Sequence, residues 1–165
     1  MNWVDIVVVI LLVLGFIGGM KEGAVRAFAS LIAVIISIPL AGLSYRLIAS
    51  LLSFLPGENW ENFIGFFIAL GIITAVLHLI FFLPRKLVGA VWNKGILLRL
   101  LGGGLNLVGG MIGMVVFALV VRTYPIFDWL ARWVSSSGAL NTLMDGFGFV
   151  QAMLPEVFHR VTTIV

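Results

Sequence analysis

Four long apolar stretches, at about residues 3–20, 24–45, 63–83 and 100–121, hold between them only two charged side chains, Asp5 and Arg26. Each comes close to or exceeds the roughly 20 residues that a helix rising about 1.5 Å per residue needs to cross about 30 Å of hydrocarbon. Only 10% of the 165 residues are charged and 62% are hydrophobic. A soluble domain carries about 25% charged residues, so this chain lacks the polar surface to coat itself in water. Period-two alternation is absent, which argues against a β-barrel. The expected fold is all-α, a polytopic membrane protein with four transmembrane helices over residues 1–122 and an amphipathic C-terminal tail over 123–165.

Punctuation between the stretches refines this outline. The first is not expected to be a cleaved signal, because Asp5 stands where a positive n-region belongs and Lys21 and Arg26 follow the apolar run. Pro39 removes a backbone donor inside the second span and predicts a kink there. Arg46 marks the end of that span, with 46–55 either continuing the helix or lying in the interface before Pro56-Gly57 stops it. Residues 58–62 read as a polar loop around Trp60. A basic connection with Arg85, Lys86, Lys94, Arg99 and the belt residue Trp92 separates the third and fourth spans. Within the tail, 125–134 reads as a short interfacial helix. Phe127, Leu130 and Val134 share one side, Asp128 and Arg132 can pair at i, i+4, and Trp129 and Trp133 suit the headgroup level. Residues 135–138 break it, and a weakly amphipathic segment follows to Leu154-Pro155.

Short-loop charge sets the orientation. The first and third connections share one side and carry six basic residues, Lys21, Arg26, Arg85, Lys86, Lys94 and Arg99. That side is expected to be cytoplasmic, with both termini outside. The sequence pI of about 9.8 is thus a topology signal rather than a nucleic-acid footprint, and no nucleic acid is expected as a partner.

No catalytic residue, cofactor or metal site is expected. The chain has no cysteine, and His78 and His159 lack ligand spacing. Gly102, Gly103 and Gly104 follow no strand and lack the Lys-Ser/Thr of a phosphate loop. An enzyme is therefore not expected. Glycine spacing is more informative. Gly15, Gly19 and Gly23 recur every four residues, so they stack on one helical face. Arg99, Gly102, Asn106, Gly109 and Gly113 form a second stripe in the fourth span, which Val116 and Val120 continue. Such stripes let helices approach to backbone contact or line a pore, and the sequence leaves both readings open. Asp5 and His78 are ionisable groups inside spans, where such groups are functional candidates by default. His78 lies seven residues before Arg85 and Asn106 seven after Arg99, so both reach about 10 Å depth. Antiparallel neighbours would bring them together, and a His78–Asn106 hydrogen bond is expected.

The start Asn2-Trp3-Val4-Asp5, the turn Gly19-Met20-Lys21-Glu22-Gly23-Ala24-Val25-Arg26, the run Leu98-Arg99-Leu100-Leu101-Gly102 with small residues to Gly113, and more loosely the Ser137 region and Leu154-Pro155, resemble the colicin V production protein family. The resemblance implies a multi-pass protein of the bacterial inner membrane that supports export of a peptide toxin and envelope homeostasis. It also implies a likeness to the pore-forming helices of small-conductance mechanosensitive channels. Four helices without an inverted repeat are few for a transporter. A channel-like or transport component would therefore be a homo-oligomer in the lipid bilayer. The alternative is a non-conducting scaffold that binds export-machinery or envelope proteins.

The orientation is directly testable. In intact cells a Lys94→Cys thiol is expected to resist an impermeant thiol reagent and a Thr163→Cys thiol to react. The reverse pattern overturns it.

Overall fold

Where the sequence runs apolar without interruption, the chain is helix. The computed structural model describes residues 2–54, 57–81 and 95–155, and among these there is no strand. Four long helices, α1 (Trp3–Glu22), α2 (Ala24–Leu51), α3 (Glu58–Ile80) and α4 (Ile96–Thr123), are each long and apolar enough to span a membrane. Three short ones follow, α5 (Asp128–Ser135), α6 (Gly138–Gly146) and α7 (Gly148–Ala152). Between 17% and 39% of the most apolar window of each long helix is buried within the chain. The outward faces are therefore largely apolar, and lipid is the solvent they fit.

Helix ends differ from the sequence expectation in instructive ways. α2 does not stop at Tyr45. It runs through Pro39 and past Arg46 to Leu51, where the Ser50 hydroxyl donates to the Leu47 carbonyl at 2.8 Å. At 28 residues it is about 42 Å long, so its ends reach the headgroup layers, where the exposed Arg46 can stay wet. Residues 58–62 are not a loop but the first turn of α3. Gly57, at φ 101°, turns the chain, and Glu58 and Glu61 then sit at a helix N-terminus, where the dipole favours negative charge. α4 starts at Ile96 rather than near Leu100, so Arg99 belongs to its first turn. In the tail, Asp128 opens α5, and Pro125 lies in the non-helical link before it. The end of the third span beyond Phe81, the basic connection with Arg85, Lys86, Trp92 and Lys94, and His159 and Arg160 lie outside the described residues.

α4 lies between α1 and α2, and α3 packs along α2. Within lipid, apolar side chains gain nothing from meeting each other rather than acyl chains, so close packing decides which helices adhere. Gly23, at φ 82°, takes a conformation that side-chain-bearing residues rarely adopt, and closes the α1–α2 turn. Its N–H bonds back to the Gly19 carbonyl at 3.0 Å. It is therefore a turn residue rather than a third member of the Gly15 and Gly19 helix face. One core joins α2, α3, α4 and α7 around Ile38, Phe66, Ile112, Leu119 and Val150. A second joins α1, α4, α5 and α6 around Val4, Val8, Val121, Val134 and Leu140. The tail thus packs into both, and its last described residues, Leu154 and Pro155, close over Gly42 of α2.

A Cβ on Gly19 would overlap the Gly102 carbonyl and the Asn106 side chain, whereas one on Gly15 would meet nothing within 4 Å. Gly19→Ala is expected to destabilise the protein by about 1–3 kcal/mol through overpacking. Gly15→Ala is expected to leave it unchanged or slightly firmer, since Ala favours helix over Gly. Denaturation midpoints in mixed detergent micelles measure both, and equal midpoints would contradict the seam.

Candidate functional site

The candidate residues fall into three places. The first is the α1–α4 seam. Gly19 and Gly102 are buried, and a Cβ on Gly102 would strike the Gly19 carbonyl and the backbone of Gly23 and Ala24. One turn along α4, the Asn106 amide donates to the Gly15 carbonyl at 2.6 Å. That carbonyl already belongs to a helix, so the bond satisfies an amide that lipid could not. Arg99 is exposed at the start of α4.

The expected His78–Asn106 bond is not formed. His78 Nδ1 bonds the Thr74 carbonyl at 2.9 Å, and Nε2 meets the Ser30 hydroxyl of α2 at 3.2 Å. A carbonyl only accepts, so Nδ1 carries a proton that it donates to Thr74, and Nε2 shares a hydrogen bond with the Ser30 hydroxyl. The pairing fails because each side chain has a nearer partner on another helix. α3 and α4 do meet, at Phe67 and Phe117, but Ser30 of α2 takes the histidine and Gly15 of α1 takes the asparagine.

The second place is a crevice where α2, α3 and α4 diverge. It has a volume of about 540 Å³ and is lined in part by Ser37, Gly71, Thr74, His78, Gly109 and Gly113. Gly109 lies near Leu31 of α2, while Gly113 is exposed, with nothing within 4 Å of its Cβ position. The α4 stripe therefore splits. Gly102 and Asn106 are closed against α1, Gly109 and Gly113 open onto the crevice, and Val116 and Val120, which continue it, are buried in the core.

The third place, which the sequence offered only as the ionisable Asp5 inside the first span, is a clasp between the start of α1 and the tail. Asp5 is 8% exposed. Its carboxylate accepts the Asn2 backbone N–H at 2.7 Å, the Ser137 hydroxyl at 2.5 Å and the Ala139 N–H at 3.1 Å. Ser137 in turn accepts from Leu140 N–H at 3.2 Å and so caps α6. The Asn2 amide donates to the Trp133 carbonyl and the Ser136 hydroxyl, both at 3.0 Å, and the Trp3 ring meets Trp133 edge-on. Arg122 secures the same tail from α4, donating to Asn141 at 2.6 Å and to the Val134 carbonyl at 3.3 Å. Nearby, the Tyr45 and Tyr124 hydroxyls bond at 2.8 Å, and Arg46 donates to Tyr45 at 3.3 Å. Burial, helped by the bond to Tyr45, holds the Tyr124 phenol well above its ordinary range. Among the described residues no group of three His, Cys, Asp or Glu side chains could hold a metal ion.

The two segments of the clasp, Asn2 to Asp5 and the serines before Gly138, are also two of the segments that carry the family resemblance. The model of the colicin V production protein family matches residues 4–148. The chain belongs to that family. It is also similar to the uncharacterized transmembrane protein YshB of Bacillus subtilis, at 25% identity over 94% of this chain and 97% of the relative. No solved structure matches it. The family is not an enzyme family, and the protein is a membrane protein with helices that span the bilayer.

Loss of the Asp5 carboxylate would leave Ser137, Ala139 N–H and Asn2 N–H without their acceptor. Hydrogen bonds to charged groups are stronger than those between neutral ones, so Asp5→Ala is expected to loosen the tail. Hydrogen exchange of α5 and α6 should accelerate in this variant while that of α2 and α3 stays slow. Unchanged exchange in α5 and α6 would remove the clasp.

Proposed function

We propose that this protein is an inner-membrane component supporting export of a peptide toxin and envelope homeostasis, and that it acts as the subunit of a channel-like homo-oligomer with both termini outside the cytoplasm. The toxin link comes from the family description. The channel-like part is carried by one observation, the crevice at the α2, α3 and α4 junction, where the unpacked glycines of α4 meet Ser37, Thr74 and His78. Its wall is almost wholly apolar, with Thr74 and His78 as partly exposed polar side chains, so a path along it would be one that gates by dewetting. Four spanning helices are too few to enclose such a path, so several copies must turn this face toward a common axis.

A second reading is a non-conducting scaffold for export or envelope proteins. Its support is the α1–α4 crossing at Gly19 and Gly102, which leaves no room for a path at that level, together with the exposed aromatic surface of Phe127, Trp129 and Trp133 on the clasped tail. Planar-bilayer conductance of the purified protein, with mass measurement of the particle, separates the two. The channel-like reading expects an oligomer whose current is reduced by Gly113→Leu. An oligomer or monomer with no current above bare lipid favours the scaffold.

A further inference from the structure

On the other side of α4 from the α2 contact, a cleft of about 390 Å³ runs between α1, α4 and the tail. It is walled by Val7 and Leu11 of α1 and by Gly110, Gly113 and Met114 of α4, and α5 closes its mouth with Leu130. Protein interiors hold few voids larger than one water, whose share of liquid volume is about 30 Å³. This cleft is far larger and opens on the outer face of α1, so what fills it comes from the apolar surroundings of the bundle. The described wall residues are apolar or glycine apart from the indole N–H of Trp3, so water would find few partners there. The cleft lies within the span of α1 and α4, and its walls are continuous with the lipid-facing surface. Val7 is 39% exposed and Leu11 51%, and they belong both to that surface and to the wall, next to the outward Ile6, Ile10 and Leu14.

We propose that this cleft is a binding site for one acyl chain of a membrane phospholipid, seated between α1 and α4 under the interfacial helix α5. The stretch of α1 from Trp3 to Leu11 rises about 12 Å, so the chain lies along the membrane normal with its ester end at the level of Trp3 and Leu130, where the tail meets the headgroups. The contact is dispersive rather than hydrophobic, because the chain leaves other acyl chains to enter the cleft. Its specificity is therefore geometric: the missing side chains at Gly110 and Gly113 are what an acyl segment replaces. This site shares Gly113 with the crevice of the channel-like reading but opens on the α1 side of α4, and it stands whether or not the protein conducts.

Native mass spectrometry of the full chain, stripped of lipid and then incubated with dioleoyl phosphatidylglycerol, tests it. The wild type is expected to carry one retained lipid. Val7→Trp fills the cleft and is expected to reduce that adduct about tenfold, a ratio equivalent to about 1.4 kcal/mol. Ile6→Trp places the same ring on the outer face of α1, where the residue is 51% exposed and outside the wall, and is expected to retain the lipid. Gly110→Leu provides a second filling, since a Cβ there meets only Leu12 at an ordinary 3.6 Å. Unchanged helix content and elution volume certify that the variants fold. Equal retention by Val7→Trp, Gly110→Leu and Ile6→Trp, or a wild type that carries no discrete lipid, overturns the site.

Discussion

Helices in lipid hold together only where they pack better against each other than against acyl chains, and in this bundle the tightest such place is the crossing of α1 and α4. There the chain has removed side chains from both partners, so the backbone at Gly19 meets the backbone at Gly102. That approach is close enough for Asn106 to reach the Gly15 carbonyl at 2.6 Å. The bond gives the crossing a direction as well as a distance, because it fixes how α4 is rotated about its own axis. With Gly102 and Asn106 turned to α1, Gly109 faces α2, and Gly113 is left outward.

The clasp fastens the same helix pair at its other end. Asp5 and Gly19 are fourteen positions apart on α1, about 21 Å of helix rise. One end of α1 is held to α4 by glycines and the other is held to the tail by a carboxylate with three donors. Arg122 ties that tail to α4 in turn. Two such attachments explain why the apolar cleft beside Val7 and Gly110 persists. A helix pair free to slide could close it, whereas one pinned at both ends keeps the gap that its missing side chains create.

Much of this was legible in the sequence, and the boundary between what was and was not is physical. The spans follow from apolar length alone, since nothing but helix satisfies the backbone in lipid. Glycine spacing left close approach and a pore wall both open along α1 and α4, and of the residues it named Gly19 and Gly102 are the pair whose backbones meet. Helix order was not legible. The chain connects α3 to α4, but α4 packs between α1 and α2, so an argument from antiparallel succession paired His78 with Asn106 when each had a nearer partner. Continuation past Arg46 was one of two expectations and is the one observed, whereas ends were misjudged where polar residues begin a helix in the headgroup region, as at Glu58 and Arg99. The clasp had no periodic signature, because it joins single residues 132 positions apart. Its one available signal was that a carboxylate near the start of a span requires donors, and three serines in the tail could supply them.

α4 is the element on which any functional reading turns, and its surface is already divided. Its first half is committed to α1, its last turns are buried among α2, α3 and the tail, and its midsection is left with Gly113 and Phe117 exposed. Gly113 borders both the acyl-sized cleft on the α1 side and the crevice containing His78 on the α3 side. A residue without a side chain at this point keeps the two spaces adjacent without filling either. A side chain there would have to enter one of them, and so the same position governs what the protein can hold from the lipid and what it can turn toward another copy of itself.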